Sequence, residues 1–361
     1  MRKLLGKKLL TASLLAATLV FGLVGCGSGD TLSDDTDISD EKITDGDIEK
    51  DDDSQELKVL RLGCGAQDDE PNMDLAQIAY DQGILEEELN NIGYTLEVYP
   101  FVSTGPECNE ALASGNLDAA LYGDFPAFTC QSNGIDITVV ALDNSKMQYG
   151  ILTADKNIKE PKDLEGKKVI VMQGTVIQYF WEQYATANDI DTSKVEIINS
   201  ADFQSLLSTG QADAYVSVLY SANYMESLGL GTVFDDGGDL ENGYTSMVAV
   251  VRNEILEENP EIGVALNKAL IRSYEAAVEN PQELYDDLAS SSISADIMAT
   301  GYAFNPSLTH LDPKITEEHM TYFDKLNNWM YDNGIILEKV DLEKFVDTSY
   351  YDKAIAELEE Q

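Results

Sequence analysis

The stretch YTLEVYPFVSTGPECNEALASGNLDAALYGDFP, residues 94–126, decides the fold class of the chain. Apolar and polar residues alternate over Tyr94–Tyr99, which predicts a strand, and Pro106–Ser114 has the apolar spacing of a helix. A second strand over Leu117–Leu121 and a second helix over Phe125–Asn133 follow after short connections. Strands that alternate with helices of this length indicate an α/β protein with a mainly parallel sheet.

The same alternation extends along the chain in both directions. The predicted strands are Leu57–Gly63, Ile135–Leu142, Gly150–Thr153, Lys167–Met172, Val195–Ile198, Ala212–Leu219 and Met247–Val251. The predicted helices are Asp74–Asn90, Val176–Asn188, Phe203–Ser208 and Pro260–Glu279. A single core stops growing near ~250 to 300 residues, so this length favours two lobes. We expect residues 57–152 to begin lobe one, 153–244 to form lobe two and 245–361 to return to lobe one, with a ligand cleft between the lobes.

The charge of the chain limits its partners. Its 361 residues include 23 Lys and Arg against 66 Asp and Glu, a formal net charge of −43. A nucleic-acid partner requires a basic surface, so we exclude this class. Anionic lipid repels such a chain, and any membrane attachment has to be covalent or apolar.

The N-terminus predicts such an attachment. Four basic residues lie within the first eight positions, and the uncharged apolar run Leu9–Val24 leads to Leu-Val-Gly-Cys at positions 23–26. The run is short for a membrane span and is typical of a secretory signal peptide, residues 1–25. The sequence Leu-Val-Gly-Cys resembles the bacterial lipobox, which predicts lipidation of Cys26 and a place on the outer face of the cell membrane.

The segment that follows Cys26 predicts a disordered tether. Residues 27–56 hold 13 acidic residues, two lysines and no aromatic residue, a composition that cannot form a core. Its carboxylates lack the Asp-x-Asp-x-Asp-Gly spacing of a calcium loop. We therefore expect residues 26–56 to link the lipid to a folded body that begins near Leu57.

The remaining chemistry-bearing residues give little support to an enzyme. The two histidines, His310 and His319, stand nine positions apart, and neither a Gly-x-Ser-x-Gly elbow nor a Walker sequence is present. Cys64, Cys108 and Cys130 allow at most one intrachain disulfide; Cys108 has the spacing of a small buried residue, and a disulfide to Cys130 stays open. We predict a non-catalytic protein without a metal or cofactor.

Three predicted loops carry the candidate ligand-binding residues. Ser103, Thr104 and Gly105 precede Pro106, while Gly123, Asp124 and Phe125 precede Pro126. Gln173, Gly174 and Thr175 precede the helix at Val176. Each loop joins the carboxyl end of a strand to a helix start, where free backbone N–H groups and the helix dipole attract an anion. Each motif alone also fits simple helix capping, so the prediction depends on the three together.

These motifs resemble the solute-binding proteins of ABC importers for aliphatic sulfonates, taurine and nitrate. The resemblance rests on the lipobox, Leu57–Gly63, the Ser-Thr-Gly-Pro and Gly-Asp-Phe-Pro loops, and Asp163–Val169 with Gln-Gly-Thr. It continues through Val250–Arg252, Asn259–Glu261 and Ala276–Pro281 to the C-terminal segment, and covers roughly residues 57–350. The family implies a type II periplasmic-binding fold, a monomer that closes on a small molecule, and a permease partner with its ATPase. It also places the three loops around the ligand.

The charge of the ligand stays open between several solutes. Gln67 and Asp68 lie in an acidic first loop that would repel a bare anion, which favours a zwitterion or an amine-bearing sulfonate over nitrate. We expect its cationic end near Asp68 or Asp124 and its methylenes against Tyr220. This tyrosine follows Val218 and Leu219, which stand where many relatives carry Trp and Asp. A thiamine-precursor pyrimidine, nitrate, a same-fold enzyme activity and a lipid-anchored sensor or adhesin remain as alternatives.

Overall fold

The alternation of strands and helices predicted from residue 57 onward is present in the computed structural model, which describes residues 57–102, 104–237, 240 and 244–360. Cys26 and the acidic segment before residue 57 lie outside the described residues, and what was expected of them stays a prediction. The described residues belong to one compact unit. No helix within them is long and apolar enough to cross a bilayer.

The strands and helices follow one another in short steps. The strands are β1 (Lys58–Gln67), β2 (Glu70–Asn72), β3 (Tyr94–Phe101), β4 (Ala119–Gly123), β5 (Ile137–Met147), β6 (Tyr149–Thr153), β7 (Lys168–Ile170), β8 (Glu196–Ile198), β9 (Ala214–Val218), β10 (Thr232–Asp235) and β11 (Thr245–Arg252). The helices up to the return strand are α1 (Ala76–Asp81), α2 (Ile84–Asn90), α3 (Thr104–Ala113), α4 (Asp124–Ser132), α5 (Val176–Ala187), α6 (Phe203–Ser208) and α7 (Leu219–Ser227). The later helices are α8 (Asn253–Glu258), α9 (Glu261–Glu279), α10 (Pro281–Leu288), α11 (Ala295–Thr300), α12 (Glu317–Asp332), α13 (Leu342–Phe345) and α14 (Ser349–Glu359).

The first sheet has the strand order β2-β1-β4-β11-β5, with β3 also paired to β1. Strands β1, β3 and β4 are parallel, and β11 runs antiparallel to both β4 and β5. Strand β5 therefore points the same way as β4. The carboxyl ends of β1, β4 and β5 meet at one edge of the sheet, together with the start of β11.

The second sheet has the order β10-β6-β9-β7-β8. Strands β7, β8 and β9 are parallel, and β6 runs against β9 and β10. The chain passes from β5 to β6 through Gln148 alone and returns from β10 to β11. Two sheets flanked by helices confirm the predicted α/β fold class, although both sheets are mixed rather than mainly parallel. The lobe limits at residues 152 and 244 stay predictions.

Helices cover both faces of each sheet because the strands are apolar on both sides. In the first sheet, Leu60 and Leu62 pack with Ile262 and Leu266 of α9 on one face. On the other face, the Phe128 ring lies 5.0 Å from that of Phe345. In the second sheet, Tyr149 stacks on Phe180 of α5 at 4.9 Å, and Phe203 of α6 stacks on Tyr215 at 4.7 Å. This burial of apolar surface is the main stabilising contribution to the fold.

The prediction of a single helix over Asp74–Asn90 is wrong, because this segment forms two helices, α1 and α2. Gly83 has a φ of +73°, which ends α1 and opens α2. Left-handed backbone is open to glycine and strained for other residues, so this position breaks the helix despite continuous apolar spacing. The strand predicted to reach Leu219 ends one residue earlier, at Val218, because α7 begins at Leu219.

The three described cysteines are free and buried. Burial raises the pKa of Cys64 and Cys130 to about 12 and raises that of Cys108 as well. A thiol with so high a pKa is protonated and unreactive near neutral pH. Cys108 therefore acts as the small buried residue that its helical spacing predicts.

Gly83→Ala should lower the free energy of unfolding by about 1 to 2 kcal/mol, the usual strain of an L-residue in left-handed backbone. No atom lies within 4 Å of the added methyl group, so the loss measures backbone strain alone. Urea denaturation beside Glu86→Ala, an exposed substitution within α2, checks this. Equal stability of the two variants would contradict strain at Gly83.

Candidate ligand-binding site

Three helix starts meet at the edges where the two sheets face each other. A methyl group on Gly105 of α3 would lie 2.8 Å from Cβ of Pro126 in α4. One on Gly123 would lie 3.1 Å from Cγ1 of Val176, the first residue of α5. These contacts show that the starts of α3, α4 and α5 converge, and that glycine is needed at Gly105 for the close approach.

The start of α5 is built by local hydrogen bonds. Thr175 caps the helix by accepting from the backbone N–H of Ile177 at 3.2 Å, and its hydroxyl donates to the carbonyl of Met172 at 2.7 Å. Gly174, with a φ of +73°, donates its N–H to Oε1 of Gln178 at 2.8 Å, and Gln173 donates its N–H to Oδ1 of Asn199 at 3.1 Å. Several N–H and O–H donors that were expected to face an anion are thus already hydrogen-bonded to acceptors within the chain.

The start of α3 lies against β1. Thr104 donates its hydroxyl to the carbonyl of Phe101 at 3.3 Å, and its Oγ1 lies 3.2 Å from where a methyl group on Gly65 would be. Ser103 lies outside the described residues. Its predicted contact with the ligand stays a prediction.

Asp124 and Phe125 face the protein interior at the start of α4. Oδ2 of Asp124 accepts from the N–H of Ser246 at 2.7 Å and from the hydroxyl of Tyr322 at 2.8 Å, and Oδ1 accepts from the N–H of Phe125. Burial raises the pKa of Asp124 to about 7 against the pull of these donors. The Phe125 ring packs 6.4 Å from that of Trp329. Both side chains therefore connect α4 to β11 and α12.

Gln67 and Asp68 bind a serine-rich loop after α10. Gln67 donates to Oγ of Ser290 at 2.7 Å. Asp68 accepts from the hydroxyls of Ser291 and Ser292 at 2.8 and 2.9 Å, and these hydrogen bonds lower its pKa. The backbone of Asp68 has a φ of +53°, and its carboxylate holds this loop in place. A contact between Asp68 and a ligand stays a prediction.

Tyr220 lines a small cavity between the two sheets. The cavity has a volume of about 60 Å³, enough for a small chemical group. Its lining combines four methionines with a leucine and four polar residues: Met73, Met147, Met247, Met298, Leu288, Asn72, Asp74, Tyr220 and Tyr302. Burial raises the pKa of Tyr220 to about 12, and the nearby Asp74 carboxylate adds to the shift. No Lys or Arg is part of this lining.

Asp74 is a candidate residue that the sequence did not indicate, because its position was assigned to a helix start. It is buried, and it accepts from the hydroxyl of Tyr302 and from Nδ2 of Asn144 at 2.9 Å. Asp143 beside it accepts from the backbone N–H groups of Asp74 and Ala76. Burial raises the pKa of both carboxyls, and their mutual repulsion adds to this at Asp143. A carboxyl in an otherwise uncharged cavity favours a neutral or cationic group there.

Known proteins that resemble this chain include binding proteins. The family described as NMT1/THI5 like matches residues 81–284. A Bacillus subtilis protein whose name assigns it aliphatic sulfonate binding is 23% identical over 328 residues, covering 84% of this chain and 90% of that protein. The taurine-binding periplasmic protein of Escherichia coli is 25% identical over 191 residues, covering 52% of this chain and 59% of that protein.

Solved structures share the fold at low sequence identity. One from Methylobacillus flagellatus, named as a periplasmic sulfonate-binding protein, has a TM-score of 0.73 at 20% identity and covers 84% of this chain and 96% of its own. The desulfurization enzyme DSZB, bound to biphenyl-2-sulfinic acid, has a TM-score of 0.65 at 13% identity and covers 83% of this chain and 99% of its own. The fold is therefore found in binding proteins and in an enzyme.

Asp124→Asn should flatten the pH dependence of stability between pH 5 and 8. The pKa of Asp124 is about 7 in the folded protein against an ordinary value of 3.8. The folded protein thus holds a proton that the unfolded chain has released, and the free energy of unfolding falls as the pH rises. For this group the fall amounts to about 2 to 3 kcal/mol.

Urea denaturation across this pH range measures the slope. Asp68→Asn is the control, because the pKa of Asp68 is lowered and its contribution changes only below its ordinary value of 3.8. The slope of that variant should match the wild type. If Asp124→Asn also retains the wild-type slope, the protonation of buried Asp124 is disproved.

Proposed function

The chain belongs to the NMT1/THI5-like family, and we propose that it is the extracytoplasmic solute-binding protein of an ABC importer for a sulfonate or taurine-like solute. It captures the solute between its two sheets and delivers it to a permease, whose ATPase drives import. A lipid on Cys26 holds it at the outer face of the cell membrane. The names of its relatives support this class of solute.

The observation that carries this proposal is the contact between the helix starts of the two sheets. Gly123, at the end of a strand of the first sheet, lies against Val176, which begins α5 on the second sheet. A solute bound beside this contact touches both sheets and favours their approach. Periplasmic binding proteins close around their ligands by motion of this kind.

The polar groups around this contact support a solute with two different ends. The starts of α3 and α5 offer their helix dipoles to an acid group, while the hydroxyls of Thr104 and Thr175 already donate within the chain. The cavity with Asp74 and four methionines suits an ammonium group, because the carboxylate attracts it and polarizable sulfurs surround it. A taurine-like zwitterion has both an acid group and an ammonium group for these two places, whereas nitrate has no ammonium group.

Titration calorimetry of the full chain with taurine, ethanesulfonate and nitrate tests the proposed solute. We expect taurine to bind most tightly and nitrate most weakly. Asp74→Asn should cost taurine about 1 to 3 kcal/mol, the value of a charge-assisted hydrogen bond, and should leave ethanesulfonate, which lacks the amine, nearly unchanged. Tightest binding by nitrate, or by a hydroxymethylpyrimidine added to the panel, would overturn the proposed solute class.

Replacement of Cys26 tests the membrane anchor. Cys26→Ser removes the only thiol of the Leu-Val-Gly-Cys sequence, so the variant should lose all incorporation of a fatty-acid probe in growing cells. Cys130→Ser, which replaces a buried thiol, is the matched control and should label like the wild type. Equal labelling of Cys26→Ser and the wild type would refute lipidation at this residue.

A further inference from the structure

A lysine, Lys146, lies at the edge of the first sheet that faces the second sheet. It is on β5, the strand that leads into the second sheet. Lys146 is the next-to-last residue of β5, whose carboxyl end adjoins those of β1 and β4. Its ammonium group lies 5.1 Å from the ring centre of Tyr244 and 5.9 Å from that of Phe304. Tyr244 stacks at 5.0 Å on Tyr322, which donates to Asp124 at the start of α4. Lys146 therefore belongs to the same edge as the helix starts.

Within the described part of the chain, no carboxylate forms an ion pair with Lys146, although acidic residues outnumber basic ones almost threefold. Its ammonium group lies over the rings of Tyr244 and Phe304 instead. A cation between aromatic rings at a cleft edge is partly desolvated and binds an anion more strongly than an exposed lysine does.

The imidazole of His310, beside Lys146, has no hydrogen-bond partner among the described residues. The side chain is 5% exposed, and neither ring nitrogen has a hydrogen-bond partner among the described residues. Burial lowers the pKa of His310 to about 4, and the charge of Lys146 contributes to this. The ring is thus neutral near pH 7 and carries one N–H group with no acceptor. A buried donor without an acceptor costs free energy that a bound acceptor recovers.

The two residues are held side by side. Ser145 of β5 donates to the backbone carbonyl of His310 at 2.8 Å, which fixes the histidine next to the end of the strand. The Phe304 ring lies 4.7 Å from the His310 ring and is 37% exposed. Phe304 thus covers both the ammonium and the imidazole, and a turn of this exposed ring uncovers them.

The nearby carboxylates do not compete for this pair. Asp74 accepts from Tyr302 and Asn144, and Asp124 accepts from Ser246, Phe125 and Tyr322. At the start of α5, Gln178 and Thr175 occupy the N–H groups of Gly174 and Ile177. An acid group that enters the cleft therefore meets the half-buried positive charge of Lys146 and the unused donor of His310.

We propose that Lys146 and His310 bind the acid head group of the solute, a sulfonate or carboxylate, with the lysine supplying charge and the histidine a hydrogen bond. This inference rests on the proposed function and names the residues that hold one end of its solute. It adds a charged contact to the helix starts, which by themselves offer only partial charges.

Titration of the full chain with ethanesulfonate and propionate tests this pair. Lys146→Met keeps the length of the side chain and removes its charge, and it should weaken both ligands at least tenfold. Lys353→Met is the matched control, because Lys353 lies 5.5 Å from the ring of Tyr350 on α14 and loses the same charge and ring contact. We expect that variant to bind within twofold of the wild type.

His310→Phe tests the second half of the proposal. It keeps a ring against Phe304 and removes both nitrogens, and it should weaken the same ligands severalfold while the unfolding temperature of the free protein confirms folding. In the wild type, ethanesulfonate should shift the nitrogen resonances of His310, which a purely structural histidine would not show.

The outcomes separate this inference from the proposed function. If the wild type binds ethanesulfonate and Lys146→Met binds it equally well, the assignment of Lys146 is wrong and the proposed function stands. If His310→Phe binds like the wild type and the nitrogen signals do not move, the histidine has no part in binding. If the wild type binds neither ethanesulfonate nor propionate, the inference is overturned; if it also fails to bind taurine, the proposed solute class is overturned with it.

Discussion

Strand β11 is the element on which the rest of the structure depends. It lies between β4 and the terminal strand β5 of the first sheet, and pairs Val248 with Tyr122 of β4 on one side and with Leu142 of β5 on the other. Because β5 and β11 are neighbours, the chain leaves for the second sheet and returns from it at the same edge. Tyr149 and Thr245, one from each crossing, are joined there by a hydrogen bond between their hydroxyls. The facing edges of the two sheets, and every candidate residue on them, follow from this arrangement.

The chain stabilises its buried carboxylates in two ways, and the difference bears on the cleft. Away from the cleft, Glu88 of α2 is paired at 2.9 Å with Lys268 and at 2.6 Å with Arg272, both on α9. At the cleft, Asp74 and Asp124 have no basic partner among the described residues and accept from tyrosine hydroxyls, an amide and backbone N–H groups. Burial raises the pKa of both carboxyls, that of Asp124 to about 7, so Asp124 is partly protonated near neutral pH. The edge of the first sheet is consequently less negative than its acidic residues suggest.

Local patterns in the sequence predicted most strands and helices. They did not predict contacts between residues that are distant in the sequence. The alternation over residues 94–126 is local, and so are the helix starts at Thr104, Asp124 and Thr175. The break at Gly83 follows from a single φ angle, which apolar spacing does not reveal. The cleft role inferred for Lys146 depends on its neighbours Tyr244 and Phe304, which lie about 100 and 160 positions away. His310 gave no signal because a histidine is recognised as unpartnered only when its surroundings are known.

The position of β11 between β4 and β5 also affects the order in which the sheets can form during synthesis. The strands β6 to β10 are consecutive, so the second sheet can form as soon as it is made. By contrast, β4 and β5 are made early and keep open edges until β11 arrives, well over a hundred residues after β4. Pairing over such distances is slow, and open strand edges associate with other chains. The first sheet therefore cannot be completed until β11 has been made, and β4 and β5 lack the strand between them up to that point.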